Sequence, residues 1–329
     1  MLTYYQFVDG ALERCDDVKC AAWTRCENPS ADDLFHLHQL GLDDDLVNDA
    51  LDPHEIPRIE QGDGWVYFIT RLPGVDDNFN DFTTPIMFAL GEHVVTLSRE
   101  RMGRVWQPFV DRTRIQAPSQ TQLFLVMVEA MLRSYQSRVA LINRQTRAVT
   151  GDVTTLRSRD IATLVEFERK LNDYLDALIP TNVALERTLN TRYKLIKLGE
   201  EDQGIVEDLS VDIEQLIARC KSLLRTIQNV RDSFRAVMDT RLNETMRILT
   251  VATLALTIPT MLAGLFGMNV DFPFDTHGVM AFWIIVAASI ITARVFSKVP
   301  FFIKISPAFT SSPAKRWASP FLKFSGAYT

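Results

Sequence analysis

Hydrophobic positions along this 329-residue chain fall into three successive patterns. Over the first hundred residues, apolar runs of strand length at 65–72, 84–90 and 93–98 are separated by loops rich in Gly, Asp and Asn. Residues 31–42 and 43–53 between them carry leucines among acids at helical spacing, so residues 1–115 read as an acidic α/β domain. Apolar positions then recur every three or four residues over 119–149 and 158–198, which predicts two long amphipathic helices, the second bent or broken at Pro180. Residues 199–204, GEEDQG, have the composition of a turn.

The third pattern is the most regular. Leu209, Ile213, Leu216, Cys220, Leu223, Ile227, Val230, Phe234 and Val237 alternate spacings of four and three, specifying a helix with an apolar seam that packs against other helices. The spacing leaves open whether those helices belong to the same chain or to other copies. No helix breaker precedes Ile248, so the helix is expected to run on for about 60 residues, roughly 90 Å. It would carry residues 248–266, a stretch of 19 residues without a charge, into a bilayer that takes roughly 20 to cross. A second apolar run, residues 279–296, holds one charge, Arg294, near enough to its end to snorkel. The pair predicts a transmembrane hairpin.

Asn243, Met246, Leu249, Thr253, Thr257 and Thr260 step by three or four and share one helix face, which either lines a pore or packs on a neighbouring helix. Gly267-Met268-Asn269 follows in the gap between the spans. This triplet, the string TIPTMLAGLFGMNV at 257–270 and the Asn-x-x-Met-x-x-Leu pattern at 243–249 resemble the signature of the CorA family of divalent metal-ion (magnesium/cobalt) transporters.

The resemblance implies an α+β membrane protein. Its expected parts are a cytosolic α/β domain (1–115), long helices flanking a stalk (116–204), a stalk continuing into the first span (205–266), the outer Gly-Met-Asn loop (267–278), a second span (279–297) and a basic cytosolic tail (298–329). It further implies a funnel-shaped homopentamer in the inner membrane, with Mg²⁺, and possible further cargo Co²⁺ or Ni²⁺, entering under the control of cytosolic Mg²⁺.

The chemistry of the motif fits that cargo. Mg²⁺ sheds its waters reluctantly, so rings of Asn269 side-chain and Gly267 backbone carbonyls suit it as neutral ligands, with Met268 between them in the filter. Carboxylates would hold the ion harder, and conduction requires that it leave. Met246 and Leu249, one turn apart, suit a constriction that closes by dewetting. Asp271 and Asp275 in the outer loop either draw cations to the mouth or are merely solvated, and the acidic stretch usual in the family after this triplet is not present in that form.

Asp208 matches, by resemblance, a stalk acid that binds a regulatory cation between subunits. Its partners would be Asp76, Asp77 and Asp81, or alternatively Asp43 to Asp45. The plainer reading is that Glu207 and Asp208 favour a helix N-terminus.

Residues 1–100 hold 20 Asp and Glu against 6 Lys and Arg, while the remainder holds 21 against 29, which together give the net −6. That balance excludes nucleic acid as a partner of the compact domain. Cys15, Cys20, Cys26 and Cys220 form no CxxC pair and read as reduced thiols. His36 and His38 alternate as a pair on a strand would, a weak metal pattern. The first residues lack a signal peptide's basic and apolar regions, and Arg241, Arg247, Lys298 and Lys304 flank the spans. Both termini are therefore expected in the cytosol by the positive-inside rule. The tail, with five bases and no acid, lies either on the anionic inner leaflet of membrane lipid or free.

No catalytic triad or phosphate-binding loop occurs, so an enzyme or ATP-driven pump is disfavoured. The competing readings are a ZntB-like zinc transporter, for which a departure at Met268 is expected, and a membrane-anchored coiled-coil sensor that moves no ions.

Overall fold

The computed structural model describes residues 1–8, 10–75, 81–110, 119–151, 156–189, 196, 198–267 and 278–298. The described chain divides into two compact units, Met1–Arg235 and Ala236–Thr329.

The first unit is built on a seven-stranded sheet in the order β2-β1-β3-β7-β6-β5-β4. Its strands are β1 (Leu2–Val8), β2 (Ala11–Cys15), β3 (Trp23–Glu27), β4 (Arg58–Gly62), β5 (Trp65–Val75), β6 (Asp81–Leu90) and β7 (Val94–Ser98). Neighbours pair antiparallel except β3 with β7, which run parallel. The three expected strands are β5, β6 and β7, two of them longer than their apolar runs. The four others escape the apolar-run criterion because their residues alternate with polar ones, as in Arg58–Gly62.

Strand periodicity sends alternate side chains to opposite faces. Val66, Phe68 and Leu72 of β5, with Ile86 and Phe88 of β6, enter one core; Trp65, Tyr67, Ile69, Met87 and Ala89 enter the other. The second core is closed by α1 (Ala31–Gln39) and α2 (Asp44–Asp49) through Leu37, Leu46 and Val47. The first is closed by α3 (Gly103–Val110), α4 (Gln120–Val149), α5 (Ser158–Leu189) and the start of α6 (Glu200–Phe266). Phe124 of α4 lies edge-on to both Phe68 and Phe88, at centroid distances of 5.1 and 5.5 Å. Thr70 of β5 bonds the Thr181 hydroxyl of α5 at 2.7 Å, and the Tyr135 hydroxyl of α4 donates to the Arg71 carbonyl at 2.9 Å. Each such bond is worth about 1 kcal/mol net and fixes helix register on the sheet.

Three local expectations are corrected. GEEDQG is no turn: α6 begins at Glu200, with acids Glu200, Glu201 and Asp202 in its first turn and the Asp202 carboxylate accepting from the Gly199 N–H at 3.0 Å. Pro180 lies inside α5 without ending it, because the carbonyl it deprives of a partner belongs to Asp176 on the exposed side. His36 and His38 sit on helix α1, and His38 Nδ1 faces Asp44 Oδ1 at 3.0 Å instead of sharing a metal face with His36.

The first six of the nine heptad positions pack within the same chain. Leu209, Ile213, Leu216, Cys220, Leu223 and Ile227 are buried in one core with Met131 and Tyr135 of α4 and Leu171 and Tyr174 of α5. Burial holds the Cys220 thiol up at about 12. The half-buried ion pair between Arg231 of α6 and Glu168 of α5 adds a polar tie between the same two helices.

Candidate functional site

The second unit contains the rest of α6 and α7 (Gly278–Lys298). Among the described residues α6 carries a stretch long and apolar enough to cross a membrane; α7 carries a shorter apolar run, Phe282–Thr292.

The proposed pore residues share a surface. Asn243, Met246, Leu249, Thr253, Thr257 and Thr260 are all exposed, Met246 by 55% and Leu249 by 60%, whereas Val251, Ala255, Ile258 and Leu262 on the opposite face are buried or half-buried. Leu249, Thr253, Thr257 and Thr260 line one groove along the helix. Pro259 leaves α6 continuous, and the Ala255 carbonyl it frees belongs to the covered face.

The threonines have a defined polarity. Thr253, Thr257 and Thr260 each donate a hydroxyl hydrogen to the carbonyl four residues back, at 2.8, 2.8 and 2.7 Å. With its proton engaged, each oxygen keeps lone pairs to offer outward, so the face presents acceptors. Acceptors are what a cation, or the hydrogens of its hydration water, require.

Gly264, at the next step of this face, extends it and was missed by sequence reasoning although it falls four residues after Thr260. A side chain there would meet open space. At the helix end the Gly267 N–H donates to the carbonyls of Ala263 and Gly264 at 3.0 and 3.2 Å, and a Cβ on Gly267 would press within 3.3 Å of the Ala263 oxygen. Met268, Asn269, Asp271 and Asp275 lie outside the described residues.

Asp208 is exposed, in the third turn of α6. Its position undercuts the plainer reading, because the helix dipole acts within the first turn, which Glu200, Glu201 and Asp202 already occupy. Asp76 and Asp77 lie outside the described residues; Asp81 pairs with Val75 through the backbone, its side chain undescribed. Asp43 caps α2 by accepting from the Asp45 and Leu46 N–H groups, so it is already engaged. Among the described residues no three His, Cys, Asp or Glu side chains gather to hold a metal ion. A cation at Asp208 therefore needs ligands from elsewhere.

The described chain thus joins an α/β domain to a long helix whose far part is apolar, long enough to cross a bilayer, and lined on one face by acceptors. The family model for the CorA-like Mg²⁺ transporter protein matches residues 19–297, and the chain belongs to the CorA family. The "Cobalt/magnesium transport protein CorA" of Methanocaldococcus jannaschii is 21% identical over 280 residues, spanning 83% of this chain and 88% of that protein. The complete structure of the CorA magnesium transporter from that organism superposes with a TM-score of 0.76 at 18% identity, covering 90% of this chain and 96% of the other. The ZntB cytoplasmic domain from Vibrio parahaemolyticus shares the fold at a TM-score of 0.58 and 13% identity, over 72% of this chain and 98% of that one.

Proposed function

We propose that this chain forms a homopentameric channel carrying Mg²⁺, with Co²⁺ or Ni²⁺ as further cargo, into the cell across the inner membrane. Family membership over residues 19–297, with Gly-Met-Asn following the last residue of α6 in the sequence, is the observation that carries the reading. Each copy contributes two spans, α6 and α7, with both termini in the cytosol. Five copies of α6 enclose the pore through Asn243, Met246, Leu249, Thr253, Thr257 and Thr260, and Gly267, Met268 and Asn269 form the filter. Asp271 and Asp275 draw cations to the outer mouth.

The water of a hydrated ion donates hydrogens to these neutral oxygens and can leave them again, which a conducting filter requires. Assembly uses the side of α6 away from the chain's own core, where Asp208, Val211, Ala218 and Ser222 are exposed, Val211 by 52%. Cytosolic Mg²⁺ regulates entry by binding between Asp208 and acids of the neighbouring copy's first domain, Asp76, Asp77 and Asp81 being the candidates.

Mg²⁺ flux into liposomes bearing the full-length protein tests the reading. Asn269→Ala is expected to abolish flux while the assembly mass is kept, and wild-type flux in an assembled variant would remove the filter assignment. Likeness to the ZntB domain supports a second reading, zinc transport, and the same liposomes loaded with a Zn²⁺ indicator decide between them.

A further inference from the structure

A cavity of about 500 Å³ opens in the first unit, at one end of the sheet. Its floor is Trp65, the first residue of β5, and His93, just before β7. The two rings meet edge to face at a centroid distance of 5.7 Å. Its rim carries Asp63 from the β4–β5 turn, Glu92 from the β6–β7 turn, and Lys19.

The floor is built. Gly91 lies so flat on the indole that a Cβ there would come within 2.5 Å of the Trp65 ring. The Glu92 carbonyl accepts from the Gln120 side chain, tying this rim to α4. Asp63 and Gly64 both hold positive φ, 50° and 85°, the tight hairpin geometry that sets Asp63 at the mouth.

His93 is 8% exposed, and its Nε2 has no hydrogen-bond partner among the described residues. A buried imidazole nitrogen without a partner costs about 1–3 kcal/mol, which a ligand could recover. Burial lowers the His93 pKa, against an opposing pull from Glu92, so the ring stays neutral and keeps one accepting nitrogen.

The lining selects its ligand by exclusion. Two carboxylates against one ammonium disfavour an anion. A lone metal ion is disfavoured because no three ligating side chains converge among the described residues. A wholly apolar molecule would leave the imidazole nitrogen unpaired. What remains is an elongated cation whose charges are separated by methylenes. Its ammonium groups would meet Asp63 and Glu92, its methylenes would run along the exposed edges of the Trp65 and His93 rings, and an N–H would donate to the imidazole. The cavity volume falls within the roughly 300–1,000 Å³ of small-molecule sites.

We infer that this cavity is a binding site for a small aliphatic diamine or polyamine, built from none of the residues proposed for the ion pathway.

The test is calorimetric titration of the full-length protein in detergent with putrescine and with spermidine at constant ionic strength. Saturable binding at one molecule per chain is expected, weakened tenfold or more in the Asp63→Asn, Glu92→Gln double variant. Both side chains are exposed, so this variant should unfold at the wild-type temperature, while Asp208→Asn should bind as wild type does. The proposal is overturned if wild type shows no saturable binding, if the double variant binds equally well, or if Mg²⁺ at equal concentration displaces putrescine as effectively as spermidine does.

Discussion

The Thr257 hydroxyl donates to the Thr253 carbonyl at 2.8 Å, and Thr253 in turn donates to the Leu249 carbonyl at 2.8 Å. This backward bonding sets the polarity of the proposed pore: protons are turned into the helix and oxygen lone pairs away from it. The bond also limits χ1, so the oxygens are presented without further loss of rotamer freedom.

The first prediction concerns those oxygens. Thr253→Val with Thr257→Val keeps side-chain shape and removes two acceptors per chain, ten in a pentamer. Mg²⁺ flux into liposomes should fall about tenfold, equivalent to about 1.4 kcal/mol in barrier height, while the corresponding serine pair retains most of it. Equal flux through the valine and wild-type proteins would show that this face does not touch the ion.

A second prediction follows from the seam. Leu223 shares a core with Leu171 and Tyr174 of α5, so Leu223→Asp buries a carboxylate inside the chain. A loss of about 3–5 kcal/mol is expected for a buried charge without a partner, read as a lower unfolding temperature of the first unit by circular dichroism. Val211→Asp acts on the exposed side of the same helix and should reduce assembly mass in light scattering without that loss of stability. A folded but dissociated Leu223→Asp protein would return the seam to the subunit interface.

How much of this was legible in the sequence depends on how local each signal is. The apolar run at 248–266, the heptads and the spacing of Met246, Leu249 and the threonines need only helical periodicity, and α6 carries all of them. The heptads did not reveal their partner, because Ile213 and Leu223 look the same whether they meet α5 or a second copy. Gly199 to Gly204 misled because its composition suits a turn, whereas a helix N-terminus equally favours acids. β1 and β3 were invisible as apolar runs because polar residues such as Gln6 and Arg25 interrupt them, and only long-range pairing, Tyr5 with Trp23 and Trp23 with Val94, shows them to be strands. The Trp65 and His93 floor could not be read at all: it joins positions 28 residues apart that only the β5, β6 and β7 order brings together.

Thiol reactivity supplies a third prediction. Cys20 is exposed and Cys15 half-exposed, whereas burial pushes the thiols of Cys26 and Cys220 up to about 12. The thiolate is the reactive form, so at pH 8 the buried pair is both unreachable and almost wholly protonated. Maleimide labelling followed by mass spectrometry should modify Cys20 first, Cys15 more slowly, and Cys26 and Cys220 only after denaturation. Rapid native labelling of Cys220 would mean that α6 is not packed on α4 and α5 as described.

The last prediction concerns regulation. The first hundred residues carry 20 acids against 6 bases, so the copies of the proposed pentamer would repel one another unless cations intervened. Asp208 is exposed on α6, beyond the first turn where a helix-end role would apply. A cation between Asp208 and a neighbouring copy's acids would offset that repulsion and favour the symmetric, closed assembly. Its loss would let the copies separate and relax the ring of Met246 and Leu249. Mg²⁺ in the millimolar range, roughly the affinity of weak and partly hydrated carboxylate sites, should slow limited proteolysis of the wild type. Asp208→Ala should need several times more Mg²⁺ for the same protection, and its flux should resist inhibition by Mg²⁺ on the cytosolic side. Superimposable protection curves for the two proteins would leave Asp208 without a regulatory role, whatever the flux through the pore.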